Sequence, residues 1–388
     1  MPTKNKRQPN GCGSVRKRPD GRWEARYTCG FNLETGKQVQ KSIYGKTRSE
    51  VQKKLYKVLY EIDAGRFIEP SKLTVCSWLD TWLKNYTLNI KPATYASYEE
   101  HIRVHLKPYL EKVMLQSLTP QIIQRTYNTL FWERHLSAKT LKNIHGVLHR
   151  ALEQARKLGF IRDNPSEGAV LPRMEKPIIH TMDNEDLIAF LDAIKGNPYE
   201  NVLFVTVFTG LRQGEVLGLT WDCVDFENHT LLINKQHNKP KGKKTYDFSS
   251  LKNDHIRLLT VAGEVMDVLR RQKAWQEEQA DMLGSAWDNK KNLVFTTETG
   301  RYIANQALYR NFKAIMEKLG LSDMRFHDLR HTFAVSSLKA GDDIKTVQEN
   351  LGHATASFTL STYAHATMGM KKESAARMEN FIQSLHSV

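Results

Sequence analysis

The chain has 388 residues, enough for two or three domains that each bury a core of their own. Its net charge of +15 favours a polyanionic partner. No apolar run reaches the ~18 residues of a membrane span and no signal peptide opens the chain, so a cytoplasmic protein with no membrane partner is expected.

The basic excess is uneven, since residues 1–66 carry 16 lysines and arginines against 6 acidic residues. Residues 1–18 hold six basic and no acidic side chains, with Pro2, Pro9, Gly11 and Gly13, and read as a flexible arm that orders on binding. Two strand-like runs follow, RWEARYTCGF and KQVQKSIYG, joined by a hairpin signal at Asn32, Glu34, Thr35 and Gly36. Val51, Leu55, Leu59 and Ile62 then predict a helix over 47–64. A small three-stranded sheet backed by one helix, with Arg22, Trp23, Arg26 and Tyr27 on the strands, can lay a ribbon into a DNA groove. A protein-interaction module is the plainer alternative.

Residues 72–172 read as all helix. Val75, Leu79, Trp82 and Tyr86 mark the first helix, Pro92 and Thr119-Pro120 open two more, and Ser137 caps a long fourth. Lys91, Lys139 and Lys142 stand near helix starts, where backbone N–H groups and side-chain charge jointly hold phosphates. Asn164-Pro165, Pro172 and Pro177 mark a boundary. From 180 onward the pattern is mixed but mainly helical. A buried-looking run over 201–209 leads into TGLRQGEVLGLTWDCVDF, and two strand signals, at 231–233 and 255–259, bracket the lysine-rich KPKGKKTYDFSSLKND. Cys12, Cys29, Cys76 and Cys223 are scattered without a CxxC pair, which points to neither a disulfide frame nor a zinc site.

The densest chemistry lies in RFHDLRHTFAVSSLKAGDDIKTVQENLGHATASFTLSTYAH, residues 325–365. From His327, Arg330 and His331 follow at i+3 and i+4, on one helix face. Gly341 stops that helix. Asp342 or Asp343 caps the next, which carries Ile344, Val347 and Leu351 and ends at Gly352, just before His353. Tyr363 follows ten residues later. A lone His-x-x-Arg is most often a surface pair, but Leu-Gly-His and Tyr-Ala-His at these offsets argue against coincidence. Arg212 precedes Glu215 by three residues. That is either a silent helix-surface ion pair or a guanidinium delivered from a helix start, whose planar fork suits phosphate oxygens.

With a hairpin lysine, these residues resemble the tyrosine recombinase family, in the words TGLRQGEVLGLTW, FHDLRHTFA, LGHAT and TYAH over roughly residues 180–368. The helical region before them is similar to the family's core-binding domain. The N-terminal segment looks like the arm-binding domain of phage and conjugative-transposon integrases. The resemblance implies a multidomain α+β chain: an arm-type DNA-binding domain over 1–66, an all-α core-binding domain over 72–172, and a mainly α catalytic domain with a small antiparallel sheet over 180–388. It implies an integrase that cuts and rejoins DNA to integrate and excise a mobile element. Tyr363 would attack phosphorus to form a 3′-phosphotyrosyl bond, with Arg212 and Arg330 holding the phosphate, His327 taking the phenol proton and His353 adding a hydrogen bond. A lysine would protonate the leaving 5′-oxygen. Lys252 fits that register, although Asn253 stands where the family has Thr and Leu where it has Pro; Lys243 and Lys244 are alternates or phosphate contacts. Glu215 would buttress Arg212, and His331 and His365 would be structural neighbours.

No carboxylate cluster suggests Mg²⁺, and the implied chemistry needs no metal or other cofactor. The implied partners are double-stranded DNA with core and arm sequences, three further copies in a homotetramer, an excisionase and a DNA-bending host protein. Ala375, Met378, Phe381, Ile382 and Leu385 predict an amphipathic tail helix, which either packs back on its own catalytic domain or, as the resemblance implies, docks on a neighbouring subunit. A non-cleaving DNA-binding regulator, a type IB topoisomerase-like enzyme and a metal phosphohydrolase are the rival readings.

Overall fold

A computed structural model describes residues 13–31, 35–65, 67–175, 179–239, 246–249, 251 and 256–352, with six positions between 375 and 385. The chain divides into two units, residues 1–175 and 176–388.

In the first unit, β1 (Ser14–Lys17), β2 (Trp23–Phe31) and β3 (Gln38–Gly45) form an antiparallel sheet in that order. Period-two alternation turns Ala25 and Tyr27 toward Val51 and Leu55 of α1 (Arg48–Asp63), and Thr47 caps that helix by accepting from Glu50 N–H at 3.2 Å. Two expectations are corrected here. Ser14–Lys17 are not part of a flexible arm, because Val15 joins the core and Arg16 pairs across the sheet with Glu24 at 2.7 Å. Arg22 stands in the turn before β2 and not on a strand, while Trp23 and Tyr27 lie on β2 and pack on the helix side, Tyr27 edge-on to Phe67 at 5.8 Å.

The same unit carries a second hydrophobic core, which shares no residue with the first. It is enclosed by α2 (Val75–Asn85), α3 (Pro92–Glu100), α4 (Lys107–Leu110), α5 (Pro120–Asn128) and α6 (Ala138–Lys157). A π-helical stretch, His101–Leu106, links α3 to α4, and another, Thr129–Glu133, extends α5. Thr74, Thr119 and Ser137 cap α2, α5 and α6 through their hydroxyls. The buried Trp78 donates its indole N–H to the Ala151 carbonyl at 2.8 Å, which fixes α2 against α6.

The second unit opens with α7 (Asn184–Ile194), α8 (Glu200–Thr209) and the single turn α9 (Gln213–Val216). Next come β4 (Val224–Asp225), β5 (Thr230–Ile233), β6 (Gln236–Asn238), β7 (Asp247–Ser249) and β8 (Arg257–Thr260). β4, β5 and β8 form one antiparallel sheet in that order, and β6 and β7 pair as a separate hairpin. Among the described residues four further helices follow: α10 (Gly263–Leu283), α11 (Asn305–Lys318), α12 (Asp328–Ala340) and α13 (Ile344–Leu351). α8 is apolar nearly all round because it is packed from several sides, with Val202, Leu203, Val205 and Val207 buried. Gly210 ends it at φ +63°, and a Cβ there would stand 2.6 Å from Phe333 and 2.8 Å from Leu351. Only glycine lets α8 stop this close to α12 and α13.

On β6, His237 is fully buried among Tyr246, Phe248 and Tyr302, with ring centroids 5.4 to 5.6 Å away. Burial, then the Lys291 ammonium, lowers its pKa to about 4 against the opposing pull of Asp247. An unfolded imidazole protonates near ~6.5, so the unfolded chain takes up the proton first and stability is lost as pH falls from there toward 4. Thermal scans between pH 7 and 4.5 should therefore show a transition that falls with pH less steeply in His237→Phe than in the wild type. Equal slopes would contradict this account of the hairpin.

Candidate active site

The site starts from the short elbow between α8 and α9. Arg212 occupies the N-cap position of α9 in extended backbone conformation. Its N–H donates to Glu215 Oε2 at 3.0 Å and its Nη1 to Glu215 Oε1 at 2.7 Å. Glu215 is 1% exposed, so its charge needs partners inside the protein. From β8, Arg257 supplies the second pair of donors, Nη2 to Oε2 at 2.7 Å and Nη1 to Oε1 at 3.2 Å. Burial pushes the Glu215 carboxyl up, and the Arg257 and Arg212 guanidiniums more than offset it, leaving the pKa at about 2. Glu215 thus stays ionised and orients both arginines at neutral pH.

Arg257 is a functional residue that its local sequence does not single out. The strand alternation in sequence points the other way, because Ile256 and Leu258 are apolar, and the structure reverses it. Arg257 shares a face with the buried Leu259, while Ile256 and Leu258 point outward and are more than 60% exposed. A nearly buried arginine on the inner face of a strand requires a carboxylate or carbonyls to meet it.

α12 supplies the next groups. Asp328, fully buried at its first position, accepts from Arg325 N–H at 2.8 Å, from Nη2 at 2.9 Å and from Nε at 3.2 Å. Arg330 is 1% exposed. Its Nη1 donates to the Gly210 carbonyl at 2.8 Å and its Nη2 to the Leu351 carbonyl. It therefore ties the elbow that carries Arg212 to the C-terminal end of α13.

His327 is the N-cap of α12, in helical backbone conformation, so it keeps the helix-face relation to Arg330 and His331 that the spacing predicts. Its carbonyl accepts from Arg330 N–H at 3.2 Å, which holds it to the first turn. Its ring meets His331 edge-on at 5.1 Å. Burial, then His331, Arg330 and Arg212, lowers its pKa to about 4 against Asp328. His327 is neutral at physiological pH and able to accept a proton.

Arg330 reaches the Gly210 carbonyl, two residues before Arg212, and its N–H meets the His327 carbonyl, so the three residues are brought together. Two fixed cations beside a neutral base can hold a phosphodiester and remove a proton from an attacking hydroxyl. Lys243, Lys244, Lys252, His353 and Tyr363 lie outside the described residues, as does Phe381. α13 ends at Gly352, φ +63°, one residue before His353. In the first unit, Arg22 lies in the turn before β2 and pairs with Asp20 at 2.8 Å. Arg26 lies on the sheet face away from α1 and pairs with Glu24 at 3.2 Å. Lys91 is the N-cap of α3, and Lys139 and Lys142 are exposed near the start of α6.

Residues 180–370 match the model of the Phage integrase family, and residues 74–131 match that of the Phage integrase, N-terminal SAM-like domain. A tyrosine recombinase XerC-like protein of Caldanaerobacter subterraneus subsp. tengcongensis is 32% identical over 351 residues, covering 86% of this chain and 89% of that protein. The Tn1549 transposon integrase in complex with transposon right end DNA shares the fold, with a TM-score of 0.68 at 22% identity, over 79% of this chain and 100% of that one. A lambda integrase, solved as a tetramer bound to a Holliday junction, shares it with a TM-score of 0.54 at 19% identity, over 90% of this chain and 97% of that one. With its catalytic-region words, its fold and a relative that matches it over most of both lengths, this chain belongs to the phage integrase family of tyrosine recombinases and is an enzyme of that class.

Proposed function

We propose that the chain is a site-specific integrase that moves a mobile element by way of a 3′-phosphotyrosine intermediate. The observation that carries this reading is the convergence of Arg212, Arg330 and the neutral His327. Two guanidiniums hold the non-bridging oxygens and stabilise the added charge of the pentavalent transition state. His327 takes the Tyr363 phenol proton, and the phenolate oxygen bonds to phosphorus. The bond to the 5′-oxygen breaks, and that oxygen takes a proton from Lys252. The covalent intermediate conserves the bond energy, so a new 5′-hydroxyl rejoins the strand without ATP.

In this reading residues 72–172 hold the core site through Lys91, Lys139 and Lys142, with Lys243 and Lys244 adding phosphate contacts. Residues 1–66 read arm sequences through Arg22 and Arg26. That role is supported by the outer sheet face, where Arg16 and Arg26 are held by Glu24, whose pKa the Ser42 hydroxyl and then Arg16 keep at about 2. In this reading the enzyme works on DNA in the cytoplasm, with an excisionase and a DNA-bending host protein as further partners. Four copies assemble on DNA through the C-terminal tail. It is helical at Ala375, Met378, Glu379, Ile382, Gln383 and Leu385, and Met378, Ile382 and Leu385 are exposed.

On a nicked duplex carrying the element end, the wild type should form a covalent complex that survives SDS, and Tyr363→Phe should form none. A covalent complex with the Phe variant would remove Tyr363 as nucleophile. Two truncations separate the flanking roles. A protein starting near Ser71 should keep its core-site footprint and lose a distant one; unchanged footprints would contradict the arm assignment. A protein ending at Met370 should bind a single site normally but fail to assemble four subunits, and normal synapsis would rule out the exchanged tail.

A further inference from the structure

The interactions of Arg257 exceed what a buttress for Glu215 requires. Besides its two bonds to that carboxylate, its Nε donates to the Asn350 carbonyl at 2.9 Å, in the last turn of α13. Gly352, which ends that helix in a left-handed conformation, lies against the same side chain. A Cβ at 352 would stand 3.2 Å from both Arg257 Cδ and Nη1. One nearly buried guanidinium therefore faces two ways, toward the carboxylate that orients Arg212 and toward the end of the helix that leads into His353.

Arg330 makes a parallel connection from α12, to the Gly210 carbonyl before Arg212 and to the Leu351 carbonyl. The two arginines thus bond successive carbonyls, 350 and 351, at the end of α13, and each also reaches the α8–α9 elbow. A helix terminus whose last carbonyls are met by two cations is held in position and orientation. The elbow and the helix end come from parts of the chain more than 130 residues apart, with β8 and α12 between them in sequence.

We infer that Arg257 is a positioning residue for recombination, which sets the Arg212 guanidinium and the α13–His353 junction against one another so that both meet the same phosphate. This rests on the proposed roles of Arg212 and His353. The planar fork is essential to it, because three bonds in two directions need Nε and both Nη atoms at once. A lysine supplies the charge but not that geometry. Arg257 itself does not touch DNA.

The test uses the full-length protein in single-turnover cleavage of a nicked element-end duplex, with site affinity and thermal transition measured alongside. Arg257→Lys should fold, bind the site within about threefold of wild type, and cleave roughly tenfold more slowly. Arg257→Gln should lose on the order of 10²-fold, the scale of a small misplacement of a catalytic group. If Arg257 acts through Glu215, the pair Glu215→Gln and Arg257→Gln should fall well short of the product of the single losses. Arg257→Lys cleaving within twofold of wild type would overturn the inference. So would losses that multiply, or a cleavage loss that follows the loss of affinity or of folded protein. Arg212→Ala, run in the same assay, separates the two levels. If it cleaves like wild type, the assignment of Arg212 falls; if it is inactive while the Arg257 variants cleave normally, only the positioning role falls.

Discussion

The elbow that carries Arg212 depends on a buried negative charge. Glu215 lies inside the fold, and a carboxylate there is tolerated only while Arg212 and Arg257 neutralise it. Removing one partner of such a group typically costs about 3–5 kcal/mol, because the remaining charge is left without compensation. The arrangement holds the Arg212 guanidinium at a fixed position in a partly dry site, where it acts on a bound anion more strongly than in water. A catalytic arginine on a flexible surface side chain would have to be ordered at each encounter with DNA. Here the protein folds with that ordering already done.

Packing around the charge is equally specific. α8 crosses α12 and α13 so closely that Gly210 has no room for a Cβ, and its carbonyl is free to meet Arg330 at that crossing. Arg330 is among the largest fully buried side chains of the molecule, so it serves the fold as well as the chemistry. Its loss is expected to weaken the fold and the site together, whereas Arg212, with a quarter of its side chain open to solvent, reports more directly on the reaction. His327 owes its low basicity to the same burial and the same cations. One electrostatic environment prepares the anion site and keeps the base unprotonated.

Much of this was legible in the sequence because local rules were obeyed. Thr47, Thr119, Ser137 and Asp343 cap the helices they precede, and Gly341 and Gly352 end theirs in left-handed conformations. The strand ahead of residue 18 was obscured by composition. Its basic residues look solvated, and only pairing with the buried Glu24 shows that Arg16 has a place in the sheet. Trp23 and Tyr27 pack on the helix side of β2, because a small domain needs its aromatics for its core. Arg257 escaped notice for a related reason. Its partners, Glu215 and Asn350, are 42 and 93 residues away, and no local pattern announces them.

The central claim is that Arg212 is held at the elbow to offset negative charge on the reacting phosphate. The most direct measurement replaces that phosphate with a neutral methylphosphonate and compares single-turnover cleavage by wild type and Arg212→Ala. If the arginine works by charge, the variant should recover much of its lost rate on the neutral substrate, because the charge it no longer offsets is absent. An equal deficit on the charged and the neutral substrate would contradict the account and leave Arg212 as a structural partner of Glu215.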